Sequence, residues 1–375
     1  MIKSGLRVRK ILRGKIVIDK SGGFGVFGSD GRFVESSLQL RGAKGQFVPK
    51  DLRGEDIQYF DFNAIYLGNL DPHFGHFLLE HMNRMYPIFD KKYKDAKIVF
   101  VKDNRVNRVP EFARVLIGLM GIDIKDVVIL EETAQFRNVF VPEQAFNIPL
   151  FSSREMGDTF ARIACLAPAA GKFEKIYLSR AKMGARKTFG EEKLQKIFQK
   201  NGYEIIYPET LPLNAQIGLM KNCKSLAGLA GTALHLALFM PAGGNVIQIM
   251  RNRQSKSNGG IQLLINKTKG LRSVFISGSI EKFKTAHFTA VPQIVGATPW
   301  LKQFLDDNGF EYQAADLKFD NTAWQEYENA LEQYRKNNGG VMYGKTKHKA
   351  VMLLACLVPG RRNRNLFRNW LNSVL

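Results

Sequence analysis

Apolar positions change their rhythm along this chain. Up to about residue 70 they fall in short runs between glycines, at Lys15–Asp19, Gly25–Phe27 and Ile57–Phe62, which predicts strands and turns. One glycine stretch, Gly23-Phe-Gly25-Val-Phe-Gly28, fits the dinucleotide-binding spacing. The turn and strand residues after it predict a hairpin and not the helix that a phosphate cradle needs. From Ile65 an alternation sets in: strand Ala64–Leu67, helix over about Phe74–Phe89, strand Lys97–Val101, helix Pro110–Met120, strands at Val127–Leu130 and Val139–Val141, helix Arg154–Cys165. Leu166-Ala-Pro-Ala-Ala-Gly171 reads as a linker.

A second alternation is sharper. Lys175–Leu178, Glu204–Ile206, Ser225–Leu229 and Asn245–Ile249 read as strands, with helices at Glu191–Lys200, Leu213–Asn222 and Thr232–Phe239 between them. That order predicts a doubly wound parallel sheet, and Thr188-x-x-Glu191 reads as a capping box for its first helix. The expected fold is therefore α/β, with two Rossmann-like lobes facing a cleft that holds the ligand. The domain reading is a first lobe over residues 1–168 and a second over 172–294. Amphipathic helices over 295–340 pack back across both lobes, and a basic tail covers 341–375.

Composition narrows the class. An apolar share of 45% and a charged share of 24% are those of a globular protein. The longest apolar run, Ala350–Val358, is far short of the roughly 20 residues that span a bilayer. The N-terminus has charges and no apolar core of a secretory signal. Cys165, Cys223 and Cys356 are widely spaced in apolar surroundings, which predicts reduced core thiols in a cytosolic protein. The net charge of +21 calls for an anionic partner. From Arg335 to Leu375 there are nine Lys or Arg and no Asp or Glu, so this segment supplies nine of those 21 charges. No nucleic-acid-binding module is recognisable, which argues against that partner.

Candidate chemistry gathers at strand ends. Gly231 and Thr232 open a helix straight after a buried strand, with Ala233 next and His235 one turn on. A helix start leaves N–H groups free for an anion, and glycine lets a phosphate come close. The alternative is a tight strand–helix junction with a core histidine. Arg180 ends the strand Lys175–Leu178, Arg186 and Lys187 follow, and Glu209 ends the next strand at the same edge. Open α/β sheets bind ligands there, arginine suits a pyrophosphate, and Glu209 suits a ribose.

In the first lobe, His73-Phe-Gly75-His76-Phe-Leu-Leu-Glu80-His81-Met-Asn83 places His76, Glu80 and Asn83 on one helix face. His76 with Glu80 makes a general base with an orienting carboxylate, and His73 and Asn83 fall on the acceptor side. A metal set of His73, His76 and Glu80 lacks the HExxH spacing, so no metal is expected. The alternative for His76 is a packing role at a helix start.

These residues together resemble glycosyltransferase family 61. The shared pieces run in order: Gly75–Glu80, Ser179-Arg180 with Arg186 and Glu191–Glu192, Gly202-Tyr203, Pro208-Glu209, Leu213–Gln216, Gly231–Leu234 and Phe239–Gly243. The resemblance implies a GT-B architecture and metal-independent, inverting transfer without a cofactor, from a nucleotide sugar, commonly UDP-linked, held by the second lobe. Two positions depart from the family pattern, where Ala230 and His235 stand in place of a common His and Asn. The tail then fits: Lys345–Val358 and the arginine-flanked Leu366–Trp370 suit an anionic membrane surface. The expectation is a cytoplasmic enzyme, peripheral at the inner face of the membrane, that serves glycan or lipid-linked acceptors in surface (capsule) polysaccharide synthesis. The competing class is a non-catalytic basic protein that holds polyanions or nucleic acid.

Overall fold

The computed structural model describes residues 1–19, 22–42, 44–45, 48–49, 57–184, 188–252, 256–281 and 291–337. The basic tail, Arg186 and Lys187 lie outside these residues, as does Cys356.

Two sheets carry the architecture. In the first, Ala134–Pro142, Gln58–Asn69, Ala96–Val101 and Val127–Leu130 lie side by side and parallel. Val8–Leu12, Lys15–Ile18 and Phe24–Phe27 extend it antiparallel, so the glycine-rich stretch is a hairpin strand, as its pattern predicts. The second sheet is wholly parallel, in the order Glu204–Ile206, Lys175–Leu178, Ser225–Leu229, Asn245–Met250, Arg272–Ser277. Numbered along the chain, that is 2-1-3-4-5, a doubly wound order whose direction reverses between Lys175–Leu178 and Ser225–Leu229.

Strand alternation assigns each face. Ile65 and Leu67 point to one side of the first sheet and Ala64 and Tyr66 to the other; Ile176 and Leu178 are likewise separated from Tyr177 in the second. Ile65, Leu67, Ile176 and Leu178 belong to one continuous apolar cluster. Its middle is helical: Phe77–Met85, the helices Glu111–Leu119, Arg154–Leu166 and Leu213–Met220, and the segment Leu234–Met240. A fully buried Leu or Phe contributes about 1.5–3 kcal/mol, so a cluster of this size makes the two α/β units one packed body.

The 166–171 linker is strapped down accordingly. Lys221 Nζ donates to the carbonyls of Cys165 (3.2 Å) and Ala167 (2.9 Å). A Cβ at Gly218 would lie 2.2 Å from the Pro168 carbonyl, so glycine alone permits this approach. The sequence pattern places the late helices across both lobes. The structure instead lays Pro299–Asp307 on the outer face of the second sheet, and helix 321–337 beside Phe189 and Ile294.

Candidate active site

The C-terminal ends of the parallel strands in both sheets turn toward each other. From the first sheet, Gln58–Asn69 leads through Leu70-Asp71-Pro72 into a helical run that changes pitch. It is α over Phe74–His76, π over Phe77–His81 and 3-10 over Met82–Arg84, where sequence predicts one α-helix to Phe89. π turns are rare and collect at functional sites, because they re-aim the side chains on either side. From the second sheet, Ser225–Leu229 leads through Ala230-Gly231 into Thr232–Phe239, a 3-10 helix of eight residues, where an α-helix was predicted. With three residues per turn, Thr232 and His235 stand one above the other.

The two starts touch. A Cβ on Gly75 would lie 2.6 Å from Thr232 Cγ2, and one on Gly231 would lie 2.8 Å from Arg180 Nη1. Glycine at 75 is thus a condition for the approach of the walls, and a side chain at 231 would displace the Arg180 guanidinium. Arg180 is buried at the end of Lys175–Leu178, beside the point where strand order reverses. Its backbone N–H donates to both oxygens of Glu191, 3.1 Å each. Here the capping-box reading needs correction. Gly190, left-handed at φ 82°, is the N-cap, while Thr188 sits in a short strand and Glu191 turns inward beneath Arg180. Burial pushes the Glu191 carboxyl up to about 7, against the Arg180 amide and the Tyr177 hydroxyl that donates to it.

On the opposite wall, His76 Nδ1 faces Glu80 Oε2 at 3.3 Å, and Glu80 Oε1 faces Arg41 Nε at 3.5 Å. The hydrogen bond with Glu80 holds the His76 pKa above its ordinary value, outweighing burial. Burial works against the Glu80 charge, yet His76 and Arg41 keep its pKa below the usual range. The carboxylate therefore accepts a hydrogen bond from Nδ1–H, which leaves the Nε2 lone pair of the neutral ring as the basic site. Asp71 adds negative charge near His76, anchored by Arg105 Nη2 at 2.9 Å. His73 is exposed and packs edge-on against His76, ring centroids 5.0 Å apart.

His235 differs. Burial drives its pKa down to about 4, and the proximity of His73 and His76 adds to the effect. Its Nδ1 lies 3.1 Å from Gln262 Oε1, and Gln262 Nε2 in turn donates to the Leu234 carbonyl and Asn266 Oδ1. The neutral ring is thereby oriented.

The predicted residues thus divide. His73, His76, Glu80, Arg180, Gly231, Thr232 and His235 gather at the junction, and Ala233 is half-buried beside them. Glu209 is exposed at the end of the edge strand Glu204–Ile206. Asn83 does not share the His76 face: it is fully buried, its Nδ2 donating to the Leu79 and Phe146 carbonyls, because the π turn rotates it inward. Cys165 is likewise exposed, not a core thiol, while Cys223 is buried. Sequence reasoning passed over Arg251 and Asn252, buried just past Asn245–Met250 at the same sheet edge. Their signal was a polar pair straight after an apolar strand, the rule that singles out Arg180. Among the described residues no group of His, Cys, Asp and Glu is arranged to hold a metal ion.

Across the Gly75–Thr232 contact, the His76–Glu80 pair of the first wall thus stands opposite the strand end that carries buried Arg180 on the second. Residues 74–247 match the family model Glycosyltransferase 61, a span that includes every junction residue from Phe74 to His235. The match supports that family, and the chain is a glycosyltransferase. A glycosyl donor and an acceptor follow as its substrates, and the non-catalytic reading gives way. No curated protein matches the chain.

Proposed function

We propose that the enzyme is of the GT-B kind and transfers a sugar, with inversion, from a UDP-linked donor to a glycan or lipid-linked acceptor in surface polysaccharide synthesis. The observation that carries this reading is the contact of the two helix starts, where Gly75 meets Thr232. It supports a site with the proposed base on one wall and the proposed phosphate-binding edge on the other. In the proposed step, His76 Nε2 takes the proton of the acceptor hydroxyl. The acceptor oxygen bonds to the anomeric carbon as the carbon–oxygen bond to the diphosphate breaks, and the nucleoside diphosphate leaves toward Arg180 and the N–H groups at Thr232. A single displacement inverts the anomeric centre. Fixed cationic and N–H donors that offset charge on the leaving group make a bound metal unnecessary. Arg186, Lys187, Glu209, Ala233 and His235 complete the donor side, and His73 the acceptor side.

The acid-free basic segment in the sequence supports attachment at the cytoplasmic face of an anionic membrane. Among the described residues no helix is long and apolar enough to cross one.

Calorimetric titration with UDP and UDP-sugars tests the donor reading. Arg180→Ala should weaken binding about 10- to 100-fold, the loss of a charge-assisted phosphate contact. Wild-type protein that binds no nucleoside diphosphate overturns it.

A further inference from the structure

A pocket lies at the far end of the 3-10 helix from the junction. Seven steps of about 2 Å separate Thr232 from Phe239, so the pocket is roughly 14 Å from Thr232. Its volume is about 480 Å³, within the range of small-molecule sites, about 300–1,000 Å³. Phe239, Met240, Ala161 and Ala164 give it an apolar floor. Three cations line it, Arg154, Lys221 and Lys269, against one acid, Asp158.

Lys269 is the telling residue. It is buried, and its ammonium makes one long hydrogen bond, to the Gly157 carbonyl at 3.5 Å. An ammonium has three donors, and beyond this one long bond the charge of Asp158 offsets its burial only in part, which leaves the ammonium suited to an anion in the pocket. Burial lowers its pKa for the same reason. The approach is built in: a Cβ at Gly157 would come 3.0 Å from the Thr268 carbonyl, so this glycine lets the two helices close behind the ammonium. Exposed aliphatic side chains stand at the pocket and beside Met1. Ile2 lines the pocket and is 46% exposed, and Leu150, whose carbonyl accepts from the Met1 amine, is 53% exposed. Large exposed aliphatic side chains next to a cationic pocket suit an amphiphile whose head is anionic and whose chain stays with the apolar lip.

We propose that this pocket binds an anionic phospholipid, with the phosphodiester on Lys269 and Arg154 and an acyl chain along Ile2 and the Phe239–Met240 floor. The site is independent of the donor and acceptor assignments, and it would fix which side of the folded body faces a membrane.

Exposed Cys165 lines the same pocket and reports on it. The full-length protein is alkylated with N-ethylmaleimide and Cys165 modification followed by peptide mass spectrometry, with soluble dihexanoyl phosphatidylglycerol, dihexanoyl phosphatidylcholine or glycerol phosphate added. Phosphatidylglycerol should slow modification of Cys165, while the other two should leave it unchanged. Lys269→Met should raise the lipid concentration for half-protection about 10-fold, with Arg154→Gln acting in the same direction if the methionine variant does not fold. Three results would overturn the assignment: no protection of wild-type Cys165, equal protection in the variants, or equal protection by glycerol phosphate, which would mark a free-anion site. Donor titration of the same samples should be unchanged, so this proposal and the donor reading fail separately.

Discussion

The helix starts of the two sheets are built alike and hold opposite kinds of histidine. Each follows a parallel strand and departs from α geometry, and at each the approach of the opposite wall or of Arg180 depends on a glycine. On the first, a carboxylate grips His76 and raises its pKa; on the second, an amide grips His235 and burial lowers its pKa to about 4. His76 is thereby the better proton acceptor of the two, as the proposed base must be, while His235 favours its neutral form. Two histidines a few residues from one contact point are thus not interchangeable. The partner on Nδ1, together with burial, decides which is a base and which is a fixed dipole.

This contrast can be broken at several points. Among substitutions that leave His76 in place, the largest effect is expected from Gly75→Ala. Its methyl would stand 2.6 Å from Thr232 Cγ2 and must push the walls apart. A misplacement near 1 Å can cost about 100-fold, so kcat should fall by about that factor with donor affinity nearly kept. Equal kcat in steady-state assays would show that the walls do not act together.

Next comes Glu80→Gln. Transfer requires neutral His76, so activity rises with pH through its raised pKa, placing the acid limb of kcat/KM above pH 6.5, the ordinary histidine value. Removing the carboxylate takes away the main cause of that rise. The limb should move to lower pH, and the plateau should drop about 10-fold as the base weakens and its tautomer is freed. A limb that stays in place would detach Glu80 from the base.

The smallest effect is expected at His235. A residue that is already neutral can be replaced by Asn, which family members commonly carry there. His235→Asn should change kcat by less than about 3-fold and leave the pH profile unmoved, since a single neutral hydrogen bond is worth about 0.5–1.5 kcal/mol. A shifted profile would mean that His235 titrates during turnover.

The second sheet was readable from sequence almost to the residue. Lys175–Leu178, Glu204–Ile206 and Ser225–Leu229 fall at their expected bounds; the first and third are largely covered runs between breakers, and the edge strand Glu204–Ile206 is bounded by Gly202-Tyr203 and Pro208. Its last strand, Arg272–Ser277, and the helix Lys256–Thr268 escaped notice, since the polar run from Arg251 to Gly260 reads as the end of the alternation. In the first sheet the runs Ile57–Phe62 and Ala64–Leu67, which read as separate strands, are one strand, Gln58–Asn69, whose first half pairs with Ala134–Phe136; that continuity rests on a contact between distant segments that local pattern does not record. The site was legible as residue types at strand ends. The pitch changes that bury Asn83 and align Thr232 with His235 were not, because π and 3-10 turns come from the packing of the starts against each other and leave no period of their own.

The most direct test of a single two-walled site is His76→Ala, assayed for donor binding by calorimetry and for transfer on the same preparation. The account predicts donor affinity within about 2-fold of wild type and transfer reduced by about 100- to 10,000-fold, the usual worth of a general base. Retained turnover, or donor binding lost in step with transfer, would contradict it.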